Sequence, residues 1–157
     1  MSFLELIDSN GFEVLTALIS ANFMAQIFKT MTYGWKHGGL HLRMLFTTGG
    51  MPSSHSAAVT AMATSIGLIE GFSSSIFALS FCVSSIVMYD AAGIRRSAGR
   101  QANVLNQIIQ ELLSEEHQLN KEKLKELLGH TPSQVLIGAI LGVAVSFGLR
   151  ILIESNV

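Results

Sequence analysis

The chain has 157 residues, of which 49% are apolar and only 13% charged, well under the quarter or so usual for soluble domains. Its formal net charge of -1 offers no basic excess for nucleic acid, and its length leaves no room for a soluble domain beside about four spans of roughly 20 residues each. Cys82 is the single cysteine and lies in an apolar run, so neither a disulfide framework nor a cysteine metal site is available. These features predict an all-α integral membrane bundle forming one domain over residues 1–157, with the bilayer itself as a partner. The first ten residues carry Glu5 and Asp8 and lack the basic start of a secretory signal, so the sequence reads as mature.

The first apolar run extends over residues 12–33, interrupted by Glu13, Asn22, Gln26 and Lys29. The last three recur at i, i+4 and i+7 and are expected to share a face turned into the bundle. Spans follow at 54–70 and 73–92, with Gly71 breaking them into a tight hairpin. Residues 94–129 are polar with amphipathic apolar pairs such as Ile108 and Ile109, which predicts a helical excursion at the membrane surface. The last span is expected over 132–154, where Gly138 and Gly142 have the small-xxx-small spacing that permits close helix contact and offers a route to homo-oligomers.

Lys29, Lys36, Arg43, Arg95, Arg96, Arg100, Lys121, Lys123 and Lys125 fall between spans one and two or three and four, and Arg150 lies toward the other side. Basic residues accumulate in cytoplasmic loops, so both termini are expected outside and the motifs below at the cytoplasmic face.

Residues 49–56, Gly-Gly-Met-Pro-Ser-Ser-His-Ser, gather glycines, hydroxyls and His55 where a span begins. Pro52 suits a first helical turn. The free amides of that turn, with the Ser53 and Ser54 hydroxyls, make an anion site. Gly129-His130-Thr131-Pro132 repeats the arrangement, with Thr131 as N-cap and Pro132 in the first turn. Positive helix ends disfavour imidazolium, so a histidine there stays neutral and able to attack phosphorus, while a protonated partner supplies the leaving oxygen's proton. Span three ends in Tyr-Asp-Ala-Ala-Gly-Ile-Arg-Arg, residues 89–96, where the carboxylate of Asp90 needs a partner and the guanidinium groups of Arg95 and Arg96 suit phosphate. Lys29 and Arg43 could complete a basic cradle. No His-Glu-x-x-His helix or carboxylate cluster argues for a metal, and no cofactor is expected.

Pro52-Ser53-Ser54-His55 is similar to the Pro-Ser-Gly-His motif of type 2 phosphatidic acid phosphatases, the superfamily related to acid phosphatases and vanadium-dependent haloperoxidases. The three stretches together, in this order between residues 49 and 132, resemble its divergent bacterial and plastid branch. The resemblance implies a membrane lipid-phosphate phosphatase of a bacterial inner membrane or plastid-type membrane. Its substrate would be phosphatidate, phosphatidylglycerophosphate or a polyprenyl diphosphate, hydrolysed without metal. By the same resemblance His130 matches the nucleophile and His55 the acid, Arg95 or Arg96 the arginine of the last motif, and Lys29, Lys36 or Arg43 the first motif. Several positions depart from the pattern. Leu124 stands where an arginine precedes the nucleophile, Met44 where a proline follows Arg43, and Gln134 where an aspartate orients the histidine, leaving Asp90 as a candidate for that role. The departures favour an alternative reading, a non-catalytic lipid-phosphate binding or transport protein. Reporter fusions at the two termini are expected to read outside the cytoplasm, and a cytoplasmic signal from both would reverse the topology.

Overall fold

A computed structural model describes residues 3–39, 50–112 and 129–156. Arg43, Met44, Gly49, Leu124 and the 113–128 part of the expected excursion lie outside the described residues, as do the side chains of Lys36, Arg95 and Arg96. The described chain is helical throughout: α1 (Phe3–Ile7), α2 (Gly11–His37), α3 (Ser54–Glu70), α4 (Ser75–Ala92), α5 (Ile94–Leu112) and α6 (Pro132–Glu154).

The helix boundaries follow local capping chemistry. Asn10, Ser53, Ser74 and Thr131 each cap a helix by accepting a hydrogen bond from a first-turn amide. Pro132 occupies the first turn of α6, as its fixed φ suits. Pro52 does not play that part in α3: it precedes the Ser53 cap and follows a cis peptide bond. Gly71 ends α3 at φ 88°, and Phe72 folds back across Gly67.

Helices α2 and α6, and the run that joins α4 to α5, are long and apolar enough to cross a bilayer. At 17 residues α3 is shorter, rising about 25 Å, and it is the central element, packed against α2, α4 and α6. The core it makes with them is built from small side chains. Ala17, Ala21 and Ala25 of α2 meet Ala57 and Ala61 of α3, all fully buried, with Leu141, Val145 and Leu149 of α6 closing over them.

Between α3 and α6 there is no room for a side chain at position 138 or 142. A Cβ on Gly142 would collide with Thr60, the Ala57 carbonyl and the Ala61 amide, and one on Gly138 with the Ser53 carbonyl. Hydrogen bonds cross the same seam, from Ser146 Oγ to the Ala61 carbonyl at 2.7 Å and from Thr60 Oγ1 to the Ala139 carbonyl at 3.2 Å. Ser84 Oγ of α4 likewise donates to the Val59 carbonyl at 2.8 Å. In lipid, where apolar burial gives helices little reason to associate, close backbone packing and such bonds are what hold a bundle together. The Gly138 and Gly142 spacing therefore serves the contact between α3 and α6 within the chain.

At the end where α2 begins and α6 finishes, Arg150 bridges three carboxylates, with Asp8 at 2.9 Å, the fully buried Glu13 at 3.1 Å and Glu154 at 2.8 Å. This cluster ties α1 to the end of α6, so both described termini lie at the same end of the bundle, and the starts of α3 and α6 lie at the other. Substituting Gly142 by alanine is expected to lower stability by about 1–3 kcal/mol through overpacking. Gly148→Ala, where a Cβ meets nothing within 4 Å, should cost nothing, and thermal unfolding in detergent of the two variants checks the contrast.

Candidate active site

Three helix ends converge where α3 and α6 begin. The His130 amide donates to the Ala91 carbonyl at the end of α4 at 2.9 Å, and the Ser53 amide donates to the Gln134 carbonyl in the first turn of α6 at 3.1 Å. These two bonds lock the motif before α6 to α4 and the cap of α3 to α6. His55 and His130 are thereby brought together, with ring centroids 6.3 Å apart and planes inclined by 59°. His55 is exposed and His130 buried.

The buried ring is held by one nitrogen. His130 Nδ1 lies 3.2 Å from the Gly50 carbonyl oxygen and 3.3 Å from Gln134 Oε1. The orientation of the Gln134 amide is itself fixed, because its Oε1 accepts from the Thr131 amide at 3.0 Å in a capping box. Both neighbours of Nδ1 are thus acceptors, which places the proton on Nδ1 and leaves the lone pair on Nε2. Gly50, at φ 88°, and Gly129, at φ 92°, supply the left-handed turns that lead into the two helix starts.

Burial holds the His130 imidazole below the ordinary histidine value of about 6.5. The nearby charges of His55 and Lys29 push the same way, and the bonds to Gln134 and Gly50 oppose them. The expected neutrality of this histidine thus has burial as its leading cause rather than the helix end.

Lys29 is almost fully buried, and its aliphatic stem lies across Gly50, where an added Cβ would stand 3.1 Å from Cγ. One turn earlier on α2, Gln26 Nε2 donates to Ser54 Oγ at 3.4 Å. Thr32 Oγ1 reaches the Met51 carbonyl at 3.3 Å, so the end of α2 is pinned to the chain entering α3.

The residues named from sequence therefore divide. His55, His130, Ser53 and Ser54 meet at one end of the bundle, and Lys29 joins them through Gly50. Ser53 is fully buried and its Oγ is taken up as the cap of α3, accepting from the Ser56 amide and hydroxyl at 3.3 and 3.0 Å. It shapes the helix start rather than presenting a hydroxyl to a ligand. Asp90 is half-buried in the last turn of α4, next to the Ala91 carbonyl that holds His130. The orienting contacts on Nδ1 come instead from Gln134 and Gly50. The backbone of Arg95 and Arg96 forms the first turn of α5.

Asn22 is exposed on the outside of α2, contrary to the inward face expected for it with Gln26 and Lys29. The reading from sequence also missed Gln134 as a partner of His130, although the capping-box pattern Thr-x-x-Gln after His130 was its signal.

Residues 11–145 match the model of the divergent PAP2 family. A membrane protein of Bacillus subtilis (strain 168), bearing the name "Uncharacterized membrane protein YuiD", is 39% identical over 149 residues, covering 88% of this chain and 94% of its own. No solved structure matches the chain. A family match over most of the sequence, carrying the helix-start histidines with it, means that this chain belongs to the divergent PAP2 family.

Proposed function

We propose that the chain is a lipid-phosphate phosphatase in which His130 is the nucleophile and His55 the general acid. The observation that carries the reading is the pairing of the two rings at 6.3 Å, with the buried one holding its proton on Nδ1. Rings 6.3 Å apart are close enough for one phosphoryl group lying beside the pair to reach both of them at near-attack contacts of about 3–3.5 Å. In the first step Nε2 of His130 attacks phosphorus, the bond from phosphorus to the lipid oxygen breaks, and that oxygen takes a proton from protonated His55. In the second, water attacks phosphorus, neutral His55 accepts its proton, and the bond between phosphorus and Nε2 breaks to release phosphate. The α3 helix start and Lys29 supply positive potential for the phosphate oxygens. Arg43, Arg95 and Arg96 are proposed to complete the cradle.

The substrate class is a phosphomonoester or diphosphate lipid, namely phosphatidate, phosphatidylglycerophosphate or a polyprenyl diphosphate. Four spans with the site at the cytoplasmic face favour the glycerolipids, which are made on that side. A second reading, lipid-phosphate binding or transport without turnover, draws on Gln134: an amide orients the imidazole yet brings no charge to stabilise its cationic form.

Phosphate release from each lipid by the purified protein separates the two readings. His130→Ala is expected to abolish release and His55→Ala to slow it by about 10²–10⁴. Saturable lipid binding without release, or unchanged release in both variants, would exclude the enzymatic reading. The pH profile has a fixed sign. Protonation of His130 removes the attacking lone pair, and its pKa lies below the ordinary 6.5, so the acid limb of the rate is expected below pH 6.5. Gln134→Glu, which puts a carboxylate oxygen in place of the amide oxygen 3.3 Å from Nδ1, should move that limb upward.

A further inference from the structure

Asn22 stands near the middle of the apolar stretch Gly11–Trp35 of α2, about 17–20 Å along the helix from either end. It is exposed on the outer surface of the bundle, and its carboxamide makes no hydrogen bond among the described residues. Hydroxyl side chains at the spans' surfaces can bond to the backbone of their own helix. Thr16 donates to the Phe12 carbonyl at 2.7 Å and Ser85 to the Phe81 carbonyl at 2.8 Å. An asparagine has no comparable bond here, and hydrocarbon offers it none.

The surface around Asn22 has a seam. Phe12, Leu15, Ile19 and Asn22 follow one another at spacings of three, four and three, the pattern of a left-handed helix pair. The three apolar members are 61, 52 and 62% exposed. Copies of one chain inserted in a bilayer share an orientation, so a two-fold axis between two of them lies along the membrane normal. Such an axis sets each residue opposite itself at the same depth. A carboxamide is self-complementary across it, because it carries both donors and an acceptor.

We propose that α2 pairs with α2 of a second copy along Phe12, Leu15 and Ile19, with the two Asn22 carboxamides hydrogen-bonded to each other in the middle of the membrane. The pair uses the outer face of α2 and leaves the α3–α6 seam and both histidines untouched. A buried polar residue in an apolar seam fixes register and partner number, and Asn22 takes that role here.

The test uses the full chain in lipid vesicles, in a Cys82→Ser background that removes the exposed native cysteine. Ile19→Cys is expected to form a disulfide-linked dimer on oxidation, and Phe81→Cys, exposed on α4, is not. Fluorescence energy transfer titrated against lipid dilution should show Asn22→Leu weakening the dimer about 3- to 30-fold, with Asn22→Gln retaining most of the affinity. The thermal unfolding midpoint of Asn22→Leu should not fall, which separates association from folding. A monomer at high protein-to-lipid ratio, equal cross-linking at both cysteine positions, or an Asn22→Leu dimer as tight as the parent would overturn the proposal.

Discussion

At Gly138 and Gly142 the backbone of α6 comes against the backbone of α3 with no room for a Cβ, and the placing of the two helix starts that carry the histidines depends on that approach. Gly138 meets the Ser53 carbonyl, and Ser53 is the cap of the helix that carries His55. One turn before Gly138, the Gln134 carbonyl accepts from the Ser53 amide, while its side chain holds His130. A Cβ at Gly138 would force the two helix starts apart. The distance between the two imidazoles is therefore set by an absence of side chains further along the seam.

Two of the three helices packed against α3, namely α2 and α6, carry rows at four-residue spacing with small members in the middle and charged or hydrogen-bonding members at the ends. On α2 the row is Glu13, Ala17, Ala21, Ala25 and Lys29, all buried. On α6 it is Gln134, Gly138, Gly142, Ser146 and Arg150. Glu13 and Arg150 meet at one end, and Lys29 and Gln134 stand near His130 at the other. Charge is confined to levels where headgroups and water are close, and the middle is left to packing and backbone-directed hydroxyls, as hydrocarbon requires.

The apolar helices, the Thr131 cap and the grouping of three polar motifs were legible because each rests on local chemistry: apolar runs of membrane length, a threonine before a proline, glycine breaks. What escaped depends on how helices wind past one another. A row advancing by four residues turns about 40° per step around its helix, so the buried row of α2 drifts from Glu13 to Lys29 across the helix surface. Lys29 falls on that row, Gln26 at its edge and Asn22 outside it, although the three looked like one inward face. The meeting of Glu13 with Arg150 is equally beyond local reading, since their 137-residue separation closes only when α2 and α6 run antiparallel in one register.

The replacement of an aspartate by Gln134 has a chemical logic once His130 is seen to be buried. A carboxylate on Nδ1 would raise the basicity of the ring and favour the imidazolium, in a place where burial and the charge of Lys29 both oppose a positive ring. An amide oxygen fixes the same tautomer and ring angle while leaving the imidazole neutral. On the proposed phosphatase reading the cost would fall later, because a ring bonded to phosphorus through Nε2 and still protonated on Nδ1 is cationic. On that reading the phosphoryl oxygens would carry the compensating negative charge, with Lys29 and the α3 helix start proposed to balance it. A site working by the proposed route would have its nucleophile's ground state tuned by burial, and the charge of the intermediate balanced by the substrate itself rather than by a protein carboxylate.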